Sequence, residues 1–239
     1  MDHTNNSCCC GEAEHFSGCL ICGAPITYRA ESSIQTCSIC HKEQLTNAVC
    51  ENSHFICDAC HSYGTYAPVI AALRDSTEKD ALLLLEKIMD LPSVHMHGPE
   101  HHAIVPCVLL TAFRNMNYDT ALSEICKRAK QVPGGTCGYW GVCGAAAGAG
   151  IFMSVMTGSS PLHKDAWPFP QKLVSIILSR LADVGGPRCC KRTSRIAIEE
   201  AVHFYSQFCS VNIPLSSITC KYCEDNRECI QEDCPYYPE

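Results

Sequence analysis

The sequence predicts a mainly α protein held together by metal: a helical core domain with a small amino-terminal treble-clef or cross-brace zinc module and a cysteine-rich carboxy-terminal tail. Three observations lead there. The 239 residues include 21 cysteines, most of them at both ends of the chain. Between about residues 66 and 209 apolar side chains recur at helical spacing, and strand signals are nearly absent from that stretch. The composition, 46% hydrophobic and 18% charged, suffices for one core of about 100–150 residues with appendages.

Charge and cysteine usage narrow the classes. A net charge of −7 gives no overall positive field, so nucleic acid is an unfavoured partner. No apolar run is long enough to span a bilayer, and MDHTNNSCCCGEAEHF lacks the basic and apolar segments of an export signal. The expected location is the cytoplasm, with no membrane association. In a reducing compartment, CxxC pairs read as metal ligands rather than disulfides.

Four segments follow. Residues 1–18 form a polar tail, expected to be disordered, that carries Cys8, Cys9 and Cys10. Residues 19–62 hold CLIC, CSIC, CENSH and CDACH with few large apolar groups, too few to fold by burial alone. Residues 63–212 form the all-α core, with Leu82, Leu83, Leu85, Ile88 and Met89 marking one helix. Ile104, Val105, Val108, Leu109 and Ala112 mark a second, and Leu173, Ile176, Ile177 and Leu181 a third. Residues 213–239 form the cysteine-rich, metal-binding tail.

The first module offers Cys19, Cys22, Cys37, Cys40, Cys50, His54, Cys57 and Cys60. Eight groups are what two tetrahedral zinc ions need, and metal binding then replaces the missing core. Two pairings remain open. In the cross-brace, Cys37, Cys40, Cys57 and Cys60 hold one ion, and Cys19, Cys22, Cys50 and His54 the other. In a sequential ribbon, Cys19, Cys22, Cys37 and Cys40 share an ion. His41 and His61 sit next to ligands, either supporting them or simply exposed.

Three turns within the core rhyme: HMHGPEHH at 95–102, PGGTCGYWGVCG at 133–144 and GGPRCCKR at 185–192. Each combines glycine with proline and then presents His or Cys where a helix begins. If those helix starts pack together, Cys137, Cys143, Cys189 and Cys190 face His95, His97, Glu100, His101 and His102 across one pocket. Unpaired N–H groups at a helix start favour thiolate, the form that binds metal or attacks. Thiolates from separated loops among glycines suit an iron–sulfur cluster, expected as 4Fe–4S, although zinc fits as well. Cys137, Cys143 and Cys189 are the expected cluster ligands, and Cys190 a reactive thiol beside Arg188, Lys191 and Arg192. Glu100 with His97 or His101 would form a general acid/base set, while a buried, hydrogen-bonded histidine is the plain alternative for each. The small residues of GAAAGAGIFM serve either close helix packing or the approach of a bulky inorganic group.

The tail has Cys220, Cys223, Cys229 and Cys234 at spacings near those of a zinc knuckle, with Pro235 after the last cysteine as in ferredoxin-type ligation. Cys229 and Cys234 are therefore further cofactor candidates. Inert exposed thiols are the alternative.

Taken together, LPSVHMHGPEHHAIVPCVLLTAFRN, QVPGGTCGYWGVCGAAAGAGIF, GGPRCCKR and the ending CxxxxCPYY resemble an uncharacterised cysteine-rich family of anaerobic archaea and bacteria. The likeness covers about residues 19–237. It implies oxygen-poor metabolism and an association with methyltransferases, and no mechanism.

Two functions are carried forward. One is an iron–sulfur enzyme, a sulfurtransferase or lyase, acting on sulfur or a small anionic or thiol-containing substrate, with a sulfur-carrier or methyltransferase protein as partner. The other is a zinc-stapled scaffold that binds a protein or RNA, or assists methyl transfer.

Overall fold

The computed structural model describes residues 17–114, 117–209 and 211–239. The three cysteines at 8–10 lie outside the described residues. The chain opens with a hairpin whose antiparallel strands, β1 (Ile26–Thr36) and β2 (Glu43–Cys50), shift register between Tyr28 and Ser33. The CSIC knuckle occupies its turn, and α1 (Asp58–His61) follows with Cys57 as its N-cap. Only Cys37, Phe55 and Cys57 form this module's buried apolar cluster. So small a core cannot sustain a fold, which is the physical case for metal ligation there.

The remaining helices are α2 (Tyr66–Asp75), α3 (Ala81–Met89), α4 (His101–Ala112), α5 (Tyr118–Ala129), α6 (Thr136–Tyr139), α7 (Gly144–Thr157), α8 (Pro168–Val184) and α9 (Cys190–Cys209). Helix α3 starts because Asp80 accepts the Leu82 and Leu83 amides at 2.9 and 3.0 Å, leaving fewer orphan donors in the first turn. Leu83, expected in the core, is exposed, and Leu84 is buried in its place. The helix is apolar around most of its circumference, so spacing alone does not fix which leucine turns outward.

Helix α4 is buried along its whole length and packs against α2, α3, α5, α7 and α9. Pro106 inside it forfeits one helical hydrogen bond, at about 3 kcal/mol in an exposed helix. Burial of Ile104, Leu109 and Leu110, each contributing about 1.5–3 kcal/mol, outweighs that cost. The small residues of α7 are explained by this contact. A Cβ at Gly148 would lie 2.6 Å from the His102 carbonyl oxygen and 2.9 Å from Pro106 Cδ, so α7 approaches α4 at backbone distance.

The tail folds back onto the bundle. Tyr222 donates its hydroxyl to Asp90 at 2.5 Å, and the Cys220 amide donates to the Tyr236 carbonyl at 2.7 Å. Its loop at 225–227 also takes hold of Ser17. The Ser17 amide donates to the Asp225 carbonyl, and its hydroxyl to Asn226 Oδ1 at 3.2 Å. Ser17, assigned from sequence to the polar tail, is therefore buried and anchored. No helix among the described residues is long and apolar enough to cross a membrane.

Candidate functional site

Two groups of four ligand atoms gather in the module, each with its atoms within 4.8 Å of one another: Cys19, Cys22, Cys50 and His54, and Cys37, Cys40, Cys57 and Cys60. The first group takes the first and third ligand pairs along the chain, the second the other two. This interleaving is the cross-brace pairing rather than the sequential ribbon. The hairpin explains it, because β1 and β2 carry the chain out from one group to the CSIC turn and back. Backbone amides favour thiolate at selected positions: Ala24 lowers the Cys22 pKa to about 6, and the Cys40 and Cys57 amides overcome burial to lower Cys37 to about 6. Sulfur and imidazole donors in fours can hold metal ions at both places.

The module lies across the mouths of all three turns. Glu100, fully buried, accepts from His61 Nδ1 at 3.1 Å and from His95 Nδ1 at 3.0 Å. Asp58 accepts the Gly134 amide at 2.7 Å, and Tyr139 donates to the Arg29 carbonyl at 3.0 Å. The Arg188 guanidinium stands 5.0 Å over the Tyr28 ring. Between module and bundle remains a cleft of about 340 Å³, lined among others by His95, His97, His102, Cys137, Arg188 and Cys190.

The expected convergence is thus partly visible in the residues lining the cleft. Cys137 and Cys190 reach it; Cys143, Cys189, Glu100 and His101 are not among its lining residues. Glu100 spends its oxygens on His61 and His95. Burial alone would raise its pKa, but those two hydrogen bonds outweigh burial and keep the carboxyl far below the usual carboxylate range. His97 is engaged at both nitrogens, with Nε2 against Asn226 Oδ1 at 3.1 Å and Nδ1 accepting the Cys190 amide at 3.5 Å. His101 is buried with Nδ1 against the Gly98 carbonyl and Nε2 without a partner; burial drives its pKa down. His102 Nδ1 donates to the Val132 carbonyl at 3.1 Å, which leaves Nε2 as the acceptor. Burial lowers the His97 and His102 pKa values as well, so both rings are neutral near pH 7.

The expectation of helix-start thiolates is corrected. Burial raises the Cys143 and Cys189 pKa values and pushes Cys190 up to about 12. Desolvation of a charge outweighs the partial positive charge of a helix end. Without a bound cation these sulfurs are thiols.

His61, Asp58 and Asn226 position the site, and sequence patterns did not single out the last two. Asn226 accepts from Ser17, His97 and the Glu228 amide; no local motif marks such a residue. His61, His95 and Glu100 also form a third group of ligand type, occupied here by the two hydrogen bonds described above.

The fold and these sites define a cysteine-rich, mainly helical protein with two ligand quartets that can hold metal ions and a cleft between its two parts. The chain belongs to the family of unknown function DUF5714, whose model matches residues 69–237. The match takes in all three turns and the tail. It begins after the paired quartets and His61, so the resemblance expected from residue 19 is shown only from residue 69. No curated protein and no solved structure matches the chain.

Proposed function

We propose that the protein is an iron–sulfur-dependent enzyme that moves sulfur to or from a small, anionic, thiol-containing molecule bound in the cleft. The observation that carries it is that Cys190, Arg188 and His102 line one cleft beneath the module. Arg188 supplies the charge that attracts an anionic substrate. His102 has an acceptor nitrogen for the thiol proton. In the transfer, Cys190 sulfur bonds to the outer sulfur of a persulfide, the donor S–S bond breaks, and the donor leaves as a thiol carrying the proton lost by Cys190. No external oxidant or reductant enters that exchange. A cytoplasmic, oxygen-poor setting suits it, with a sulfur-carrier or methyltransferase protein as the downstream partner.

Anaerobic incubation with glutathione persulfide, followed by alkylation and peptide mass spectrometry, tests this reading. One added sulfur atom on Cys190 is expected, absent in Cys190→Ser and reduced in Arg188→Ala. A folded, metal-loaded protein that takes no sulfur at Cys190 overturns the reading and leaves a metal-stapled scaffold.

A further inference from the structure

The seam between module and core carries a group of side chains that sulfur transfer does not use. His61 closes α1, one residue past the quartet member Cys60. His95 and Glu100 belong to the first of the three turns. His61 Nδ1 and His95 Nδ1 approach different oxygens of the Glu100 carboxylate, Oε2 at 3.1 Å and Oε1 at 3.0 Å. The His95 amide also donates to Oε1 at 3.3 Å and fixes the carboxylate in place. The two rings stand edge to face, with centroids 4.7 Å apart and planes at 70°.

One ligand atom from each of the three residues lies within 4.8 Å of the other two, the same gathering that both quartets show. An ion bound at about 2.1 Å holds neighbouring donors about 3–3.5 Å apart, and both nitrogen–oxygen distances match that. A hydrogen bond spans the same distance, so spacing by itself does not choose between a proton and a cation.

Three further observations favour the cation. First, the donor set is two imidazoles and one carboxylate, the set that holds a catalytic zinc or ferrous ion while leaving positions free. Second, the carboxylate is fully buried, whereas the His61 and His95 side chains are 19% and 27% exposed and both line the cleft. A cation therefore has a route in, and its free side faces the cleft. Third, residue 98 is a glycine, and a Cβ there would press on both the Glu100 carboxylate and the His61 ring. The chain keeps open the space that these two ligands share.

The ring chemistry allows the exchange without an outside reagent. A neutral imidazole carries one proton that either nitrogen can hold. Moving it to Nε2 turns Nδ1 from a donor to the carboxylate into a ligand beside it. His101 stays out of the set: it lies 4.0 Å from Oε1, but its Nδ1 is against the Gly98 carbonyl.

We propose that His61, His95 and Glu100 bind a divalent first-row transition cation, distinct from the ions of the two quartets, with a coordination position open to a small anion in the cleft. One ligand comes from the module and two from the core, so the cation also ties the two parts together. This site goes beyond the sulfur-transfer reading and does not depend on it.

The test starts from the full chain holding two zinc ions, because three nitrogen and oxygen donors bind a cation less tightly than quartets containing thiolates. Cobalt(II) is then added, and zinc, cobalt and visible spectra are measured after desalting. About one cobalt per chain is expected beyond the two zinc ions, with visible bands but no sulfur-to-cobalt charge-transfer band. Excess azide should shift those bands by entering the open position. His95→Ala should lose the cobalt and keep both zinc ions and the helical circular dichroism; His61→Ala repeats the test from the other side of the seam. Cys190→Ser should still bind cobalt, which separates this site from the sulfur-transfer reading. No cobalt uptake by the wild type, uptake undiminished in folded His95→Ala and His61→Ala, a spectrum of sulfur ligation, or bands unmoved by azide overturns the proposal.

Discussion

His61 and Glu100 meet at 3.1 Å across the boundary between the cysteine-rich amino-terminal module and the helical core. His61 follows directly on Cys60, a member of the second quartet, so the arrangement of that quartet sets the imidazole that grips the core. Glu100 is fully buried and also accepts from His95. Replacing it by alanine leaves two imidazoles without their acceptor. A loss of about 2–4 kcal/mol is expected, measured as a lowered denaturation midpoint with unchanged m-value. Protease cleavage within 19–62 should rise in parallel.

Gly98 sits where only hydrogen fits. A Cβ there would lie 2.2 Å from Glu100 Oε2 and 2.4 Å from His61 Cε1. Gly98→Ala is expected to cost about 1–3 kcal/mol by overpacking and to loosen the module, read by calorimetry and by faster exchange of the hairpin amides.

Metal removal should act first on the module. Its apolar cluster is too small to fold without ligation, and structural zinc sites supply folding free energy outright. Chelation is expected to release about two ions per chain and to unfold residues 19–62 while the α3, α4 and α7 helices persist. Far-ultraviolet circular dichroism and metal analysis check this; full helical collapse on chelation contradicts it.

Lys191 provides a pH prediction with a defined sign. Burial lowers its pKa to about 8 from an ordinary 10.5. The unfolded chain therefore binds more protons between those values, so this group's contribution to stability rises with pH across that window. Below pH 8 the full penalty for burying charge is present. Lys191→Met is expected to gain about 3 kcal/mol near pH 7, less the cost of leaving unpaired the Met89 carbonyl that Nζ now reaches at 3.1 Å. The difference from wild type should vanish by about pH 10.5. Paired denaturant titrations at pH 7 and pH 10.5 measure it.

Thiol reactivity should separate the cleft cysteines. Cys137 is exposed, while burial pushes Cys190 up to about 12. Iodoacetamide at pH 8 is expected to label Cys137 well before Cys190, followed by peptide mapping. Equal rates would mean that the roof opens freely.

What the sequence revealed depended on how local each signal was. The eight module ligands were legible because their CxxC and C-x3-H spacings each fit one short turn; the choice between cross-brace and ribbon was not, since it depends on the hairpin that carries the CSIC turn away from the first group. The three turns were legible as helix starts, since Gly, Pro and the cysteines at 143 and 190 occupy adjacent positions. The direction of each cysteine was not. Whether Cys189 or Cys190 faces the cleft depends on the phase of α9 and on where residues 220–229 pack, which no nearby residue encodes. Burial likewise reversed the expected thiolate character, because helix starts can be read from spacing while desolvation is set by the whole fold. Leu83 shows the same limit on a single helix.

The hydrogen bond between Ser17 and Asn226 joins positions 209 apart in the chain. During synthesis the hairpin and its quartets leave the ribosome early, but the clasp that secures their leading edge emerges only with the tail. A nascent chain can seat the module on the core through His61 and Glu100 earlier, but the module's leading edge stays free until translation has passed Asn226, and a premature stop before that codon would leave that edge unclasped.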